Sequence, residues 1–238
     1  IYISECDNAA EALAFLKERL TAEKIPFCAD ADGVNDADWS ENWKKYFHAT
    51  EIGNRLAIVP SWEKYDNKEN RRLLHIDPGA AFGTGTHATT SLCLSMLENY
   101  VYEGAEMLDI GCGSGILSIA SVLLGADRAV GVDIDAQSVK TAKENAELNG
   151  CTEKTEYIVG DLADKVSGKY NVVCANIVAD VVIRLLSDVR NYMADGAVLL
   201  VSGIIDAREQ DVLTAAEKQG FVIKEKQYKD NWCAFALV

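Results

Sequence analysis

The chain has 238 residues, 49% hydrophobic and 25% charged, a balance that supports a large α/β domain with a buried core and excludes wholesale disorder. Lysine plus arginine number 23 against 37 aspartate plus glutamate, a formal net charge of −14. This counts against broad binding to a phosphate backbone, which needs clustered cations, and suits a basic partner. Without a run of about 18 apolar residues, no membrane span is expected.

The first 37 residues read as a small separate piece. The segment Tyr-Ile-Ser at 2–4 suggests a strand. Ala9, Leu13, Leu16 and Leu20 recur at helical spacing, and 25–29 suggests a second strand. The chain opens on Ile1 rather than Met, which reads as part of a longer chain. The polar run Asp-Ala-Asp-Gly-Val-Asn-Asp-Ala-Asp at 30–38 marks a boundary. Trp39, Trp43 and Phe47 then fall at i, i+4 and i+8, one aromatic face of a linker helix within 38–50 that packs between domains. Residues 51–238 are expected to form the main domain.

The run from Asp77 to Thr90 is rich in glycine and hydroxyl residues. It reads as a mobile loop that closes over a ligand, and it precedes a helix carrying Leu92, Leu94, Met96 and Leu97. Thr86 is a candidate cap for that helix. Thr89 and Thr90 are presented from its first turn. His87 reads as a capping or hydrogen-bonding residue in preference to a general base.

From about residue 104 strands and helices alternate. Strands are predicted at 106–111, 128–134, 155–161, 170–177 and 196–204. Helices are predicted at 116–124, 136–148, 179–193 and 206–219. The chain closes with strands at 221–228 and 231–238 joined at Lys229-Asp230. The order implies a doubly wound, mostly parallel sheet with right-handed crossovers and an antiparallel edge hairpin.

The first strand of this region ends in Asp109-Ile110-Gly111-Cys112-Gly113-Ser114-Gly115. Glycines permit a tight turn and a close ligand, and the following helix N-terminus favours anionic groups. Ligands of such sheets bind beyond the carboxyl ends of the strands. Position 116 is Ile, so the pattern is GxGxG and departs from the GxGxxG of nicotinamide dinucleotide sites. Asp133 ends the second strand, where a carboxylate can accept both hydroxyls of a ribose. Asp161 and Leu162 follow the third strand, where an adenine would lie. Asp161 suits an exocyclic amine, with a helix N-cap as its plainer role, and Leu162 suits a ring face. Asn176 ends the fourth strand; its amide can orient a substrate amine or a ligand's amino-acid tail, or simply form a turn. The seven cysteines are odd in number and form no CxxC. They read as buried free thiols, with no metal site expected.

Leu108 to Leu117 (LDIGCGSGIL) followed by Val130 to Asp135 (VGVDID, from Val130) resembles class I S-adenosylmethionine-dependent methyltransferases. The run Asp77 to Leu94 is more specific. With Asn176 to Ala179, Val201 to Ile205, and the Ile58-Val59-Pro60-Ser61-Trp62 segment, it is similar to the ribosomal protein L-eleven methyltransferase family, PrmA. The resemblance covers roughly 38–238. It implies a seven-stranded Rossmann-like methyltransferase domain behind a small recognition domain that grips the ribosomal protein. The 1–37 piece would supply one half of that small domain. It implies S-adenosyl-L-methionine as cofactor. The implied substrates are lysine side chains and the N-terminal α-amine of ribosomal protein L-eleven, with up to three methyls added. It places cofactor contacts on Thr90, Gly111, Asp133 and Asn176, beside the Gly113 of the glycine turn, with Phe82 and Gly83 as lid contacts. Asn176 is the candidate for orienting the amine. No Asn-Pro-Pro-Tyr run follows the fourth strand, which weakens amide and nucleobase nitrogens as substrates. A cytoplasmic monomer that binds neither nucleic acid nor membrane directly is the default. The alternatives are a methyltransferase acting on a small molecule, a non-catalytic cofactor-binding module and a nicotinamide oxidoreductase.

Overall fold

The computed structural model describes residue 20, residues 48–76, residue 85 and residues 87–238. The chain divides into Ile1–Phe47 and His48–Val238. The strands and helix expected within 1–37, the tryptophan face, and Phe82, Gly83 and Thr86 lie outside the described residues.

Three short strands open the second unit: β1 (Thr50–Ile52), β2 (Leu56–Val59) and β3 (Arg72–His75). β1 pairs antiparallel with β2, and β2 pairs parallel with β3. The sequence carries little signal for this sheet, because runs of three or four residues are too short to declare a period. The helix α1 (Ala88–Tyr100) fixes it. Glu98 on α1 accepts the backbone N–H groups of Asn54, Arg55 and Leu56 at 2.8, 2.8 and 2.9 Å. One ionised side chain thus satisfies three turn donors, and hydrogen bonds to charged groups are the stronger kind.

The main sheet holds seven strands. They are β4 (Glu106–Ile110), β5 (Arg128–Asp133), β6 (Thr155–Val159), β7 (Tyr170–Asn176), β8 (Met193–Ile205), β9 (Ile223–Lys229) and β10 (Trp232–Leu237). Their order is β6-β5-β4-β7-β8-β10-β9. The first five are mutually parallel, and β10 runs antiparallel to both β8 and β9. The doubly wound sheet with an antiparallel edge is therefore present. Alternation along the central strands explains why both faces are covered. Met107, Val172, Cys174, Val198 and Leu200 enter the core beneath α1. Leu108, Val173, Ala175, Leu199 and Val201 enter the core on the opposite face. Strands buried on two faces read as continuous apolar runs, as these do. The described cysteines, 93, 112, 151, 174 and 233, are free and buried.

The helices α2 (Ile116–Leu124) and α3 (Ala136–Leu148) match their predicted bounds. Asp135 caps α3 by accepting Gln137 and Ser138 N–H. Asn149 ends it and is tied to β3, with its Nδ2 donating to His75 O at 2.6 Å. The helix predicted at 179–193 is shorter: α4 spans Ala179–Leu185. A 3-10 turn follows at Val189–Tyr192, and Met193 already pairs with Tyr170 in the sheet. Strand pairing here overrides local helical spacing. Likewise α5 spans Glu209–Lys218, after a 3-10 turn at Asp206–Arg208.

Candidate active site

The carboxyl ends of β4, β5, β7 and β8 meet the N-terminus of α1 around a cavity of about 640 Å³, within the size range of small-molecule sites. Its wall includes Gly111, Gly113, Asp133, Asp161, Leu162 and Asn176. The structure thus brings together six residues selected from the sequence.

The turn after β4 is held almost entirely by backbone. Gly111 and Cys112 donate to Val132 O at 2.8 and 3.0 Å, and Gly115 donates to Cys112 O at 2.8 Å. Gly113 N donates to Asp133 Oδ2 at 2.8 Å, and Asp135 N donates to Asp133 Oδ1 at 2.9 Å. Each oxygen of Asp133 accepts one N–H and keeps capacity for another donor. Asp109 lies beneath the turn, fully buried. Burial pushes its carboxyl up to about 7, against the opposing pull of the Ser118 hydroxyl and N–H. Its other oxygen, Oδ1, has no hydrogen-bond partner.

Two glycines admit the loop that follows β7. Gly111 has φ +74°, and a Cβ there would lie 2.5 Å from Ile177 Cγ2. Gly203 on β8 has φ +81°, and a Cβ there would lie 2.5 Å from the Ile177 carbonyl oxygen. Only glycine fits either position without strain. Ile177 is wedged between them, and its N–H donates to Ser202 O at 3.2 Å. This clamp fixes where Asn176 sits.

Asp161 does not cap a helix. Its Oδ1 accepts from Arg184 Nη2 at 2.9 Å across the cavity rim. Leu162 has φ +51°, an uncommon state for a bulky residue and one that marks functional sites. Ile134 and Val178 complete this rim and are largely exposed.

The opposite end is built from side chains. His87 caps α1, its Nδ1 accepting from Thr89 N at 3.4 Å and lying 2.9 Å from Thr89 Oγ1. The capping role expected for His87 is therefore present. The indole of Trp232 meets the His87 ring edge-on, with centroids 5.2 Å apart. Both line the cavity. Thr89 lines it too, whereas Thr90 stands behind the wall, fully buried, with its Oγ1 accepting from Asn176 Nδ2 at 3.3 Å. Asn176 Oδ1 is buried and has no protein partner.

Trp232, Gly203 and Arg184 went unmarked as site residues in the sequence. Trp232 was open to discovery: a strand antiparallel to β8 starts where β8 ends, so the first residue of β10 opposes Ile205 at the ligand edge.

The ribosomal protein L11 methyltransferase (PrmA) family model matches residues 1–238. The chain belongs to this family. The family's relative from Caldicellulosiruptor bescii is 44% identical over 237 residues, which is 98% of this chain and 77% of that protein. The solved structure of the ribosomal protein L11 methylase from Lactobacillus delbrueckii subsp. bulgaricus superposes with a TM-score of 0.76 at 31% identity, covering 81% of this chain and 98% of that one. An RNA methyltransferase from Salinibacter ruber in complex with S-adenosyl-L-homocysteine shares the fold, with a TM-score of 0.52 at 20% identity over 63% of this chain and 92% of that one. Family membership favours a protein methyltransferase over an enzyme acting on a small molecule. The residues present suit a nucleoside with an amino-acid tail: two glycines of a tight turn on the cavity wall, a carboxylate with open lone pairs, and a buried orphan amide oxygen.

Proposed function

We propose that this chain transfers methyl groups from S-adenosyl-L-methionine to amines of ribosomal protein L11, namely lysine side chains and the N-terminal α-amine. The observation that carries the reading is one cavity pairing the Gly111–Asp133 cradle with the unpartnered oxygen of Asn176. When bound, the cofactor supplies a methyl group activated on a sulfonium sulfur.

The remaining chemistry belongs to the chain. Asp133 holds the ribose hydroxyls with the lone pairs left by Gly113 and Asp135. The Gly111–Gly113 backbone approaches the tail. Leu162 covers the adenine face, and Asp161 meets the exocyclic amine in competition with Arg184. An acceptor amine must be neutral, yet a free lysine titrates near about 10.4 and an α-amine near about 7.7–8.0. The wall of Trp232 and His87 excludes water on the acceptor side, which disfavours the charged form. Asn176 Oδ1 accepts an N–H and aims the nitrogen, and water carries the proton away. Rate then follows from alignment.

In this reading the 1–37 piece is half of a docking domain, joined by the 38–50 linker to the catalytic domain at 51–238. The net charge of −14 draws a basic substrate toward the enzyme. Among the described residues no helix is long and apolar enough to cross a membrane, and the enzyme works as a cytoplasmic monomer without direct contact to nucleic acid. Mass spectrometry of L11 after incubation with enzyme and S-adenosylmethionine tests the activity: added methyls are expected, and unmodified L11 would sink the proposal. Calorimetry with S-adenosylhomocysteine tests the cradle. Asp133→Ala is expected to weaken binding at least about a hundredfold by removing charge-assisted bonds; unchanged affinity would remove Asp133 from the site.

A further inference from the structure

We propose that Arg184 is a positioning residue that acts through Asp161, fixing its carboxylate so that the base end of the cavity selects a 6-amino purine over a 6-oxo purine. The inference rests on the exocyclic-amine role proposed for Asp161.

Asp161 stands on a stretch of chain that does little to aim its side chain. β6 ends at Val159 and β7 begins at Tyr170, and the crossover between them contains turns and no helix. Asp164 N donates to Asp161 O at 3.2 Å, closing a turn through Leu162 with its φ of +51°. That turn holds the main chain of Asp161 and leaves the carboxylate to be oriented from elsewhere. Arg184 stands on α4, whose Val182 and Leu185 are buried in the core. From this anchored base it crosses the rim, and its Nη2 donates to Asp161 Oδ1 at 2.9 Å. Lys165, in the same turn as Asp161, gives its ammonium to Val159 O at 2.8 Å. Both Asp161 and Arg184 line the cavity.

The polarity of this contact has one reading. A guanidinium only donates, and an ionised carboxylate only accepts. Among the described residues Arg184 is the one donor to the Asp161 carboxylate, and it takes Oδ1. Oδ2 keeps its lone pairs on a side chain that is 54% exposed. The carboxylate is thereby divided between the two donors that compete for it, one oxygen for the guanidinium and one for a ligand N–H.

This division has a chemical consequence. Adenine offers N–H groups at position 6 and a lone pair at N1. A 6-oxo purine offers the reverse, an oxygen at position 6 and an N–H at N1. A carboxylate held opposite position 6 accepts from the first base and repels the second. A carboxylate free to swing can follow the donor to N1 and accept either base. Tying Asp161 to α4 removes that freedom. Sites built around one hydrogen bond reject the analogue that cannot supply it, because their polar groups are left unpaired. An exposed ion pair adds little to stability; the value of this one lies in orientation.

The test is calorimetry with S-adenosylhomocysteine and its 6-oxo analogue, S-inosylhomocysteine, on wild type, Arg184→Met, Arg184→Lys and Asp161→Asn. Methionine keeps an apolar stem and removes the charge, at a side chain 58% exposed, where folding is little disturbed. In Arg184→Met the ratio of adenosyl to inosyl affinity is expected to fall about threefold, the worth of an exposed ion pair. Arg184→Lys, which keeps a charged donor, is expected to recover part of the ratio. Asp161→Asn is expected to lose most of it, because an amide can also donate to a 6-oxo group. Equal changes on both ligands in Arg184→Met would make Arg184 a packing or field residue and overturn the proposal. An unchanged ratio in Arg184→Met beside a lowered one in Asp161→Asn would overturn only this inference. An unchanged ratio in Asp161→Asn would bring down the reading of Asp161 and this inference with it. No binding of S-adenosylhomocysteine to wild type would remove the cofactor reading beneath both.

Discussion

The two ends of the cavity are made differently. The cradle is built from one βαβ segment, Asp109 to Asp133, and mostly from main chain: its bonds join residues about twenty positions apart or fewer, apart from the bond of Asn145 Nδ2 to Ser114 O, which spans 31. The opposite wall gathers side chains from the start of α1, the end of β7, the end of β8 and the start of β10. Its bonds span 86 and 113 positions. A cradle made locally can be recognised as a short motif and depends little on the rest of the fold. A wall made from distant strands is only as precise as the packing that holds those strands together. Ile177 is where the two meet, since Gly111 belongs to the cradle and Gly203 to the wall.

That meeting point allows the contrast to be broken from either side. Gly203→Ala sets a methyl 2.5 Å from a main-chain oxygen, at a φ of +81°. Main chain cannot rotate aside, so strain and overpacking add to about 3 kcal/mol or more. Gly111→Ala meets only Ile177 Cγ2, also at 2.5 Å. A methyl can turn away, which leaves a conformational cost of about 1–2 kcal/mol. Urea denaturation is expected to rank Gly203→Ala well below Gly111→Ala in stability, with Gly111→Ala losing S-adenosylhomocysteine affinity while still folded. The reverse ranking would mean that the wall tolerates movement and the cradle does not.

The cradle carries a second asymmetry, between the carboxylates that end two neighbouring strands. Asp133 faces the cavity, whereas Asp109 is sealed beneath it with its carboxyl raised to about 7 by burial. Unfolded, such a group titrates near about 3.9. Between these values the native state binds more protons than the unfolded state. Stability credited to Asp109 is therefore fully present below about pH 4 and is lost as pH rises toward 7, after which it levels off. The slope is at most about 1.4 kcal/mol per pH unit. Asp109→Asn keeps the shape and an acceptor for Ser118 but cannot ionise. The difference in stability between the two proteins should shift in favour of the variant from pH 4 to 7, measured by urea denaturation at each pH. A difference independent of pH would show that Asp109 ionises as freely in the folded protein as in the unfolded chain.

The same local–distant division decides what the sequence discloses. The bounds of α2 and α3 were legible because helical periodicity lies within the element. The glycine turn and Asp133 were legible because their geometry is fixed over one βαβ unit. The helix predicted to reach Met193 was not, because Met193 is claimed by Tyr170 on another strand. The β1–β3 sheet is held by a glutamate more than forty positions away. Trp232 read only as a strand residue until the order β8-β10-β9 set it beside the ends of the parallel strands. Thr90, expected at the ligand through family resemblance, accepts from Asn176 Nδ2, a contact 86 positions long that no local pattern discloses.

Leu162 offers the smallest and most selective test of the cradle's outer rim. At φ +51° its backbone is strained by about 1–2 kcal/mol. Its half-buried side chain lines the cavity and packs on the core beside it, a contact worth roughly the same amount. Leu162→Gly removes both, so global stability should move by less than about 1 kcal/mol. Affinity for S-adenosylhomocysteine should nevertheless fall, by about three- to tenfold, because a ligand ring loses its apolar cover. Leu162→Ala retains the strain and loses the cover, so it should be the less stable of the two with a similar loss of affinity. Were Leu162→Gly to bind as tightly as wild type, the strained backbone would have to be explained by the packing of the loop alone. The adenine end of the cavity would then rest on Ile134 and Val178.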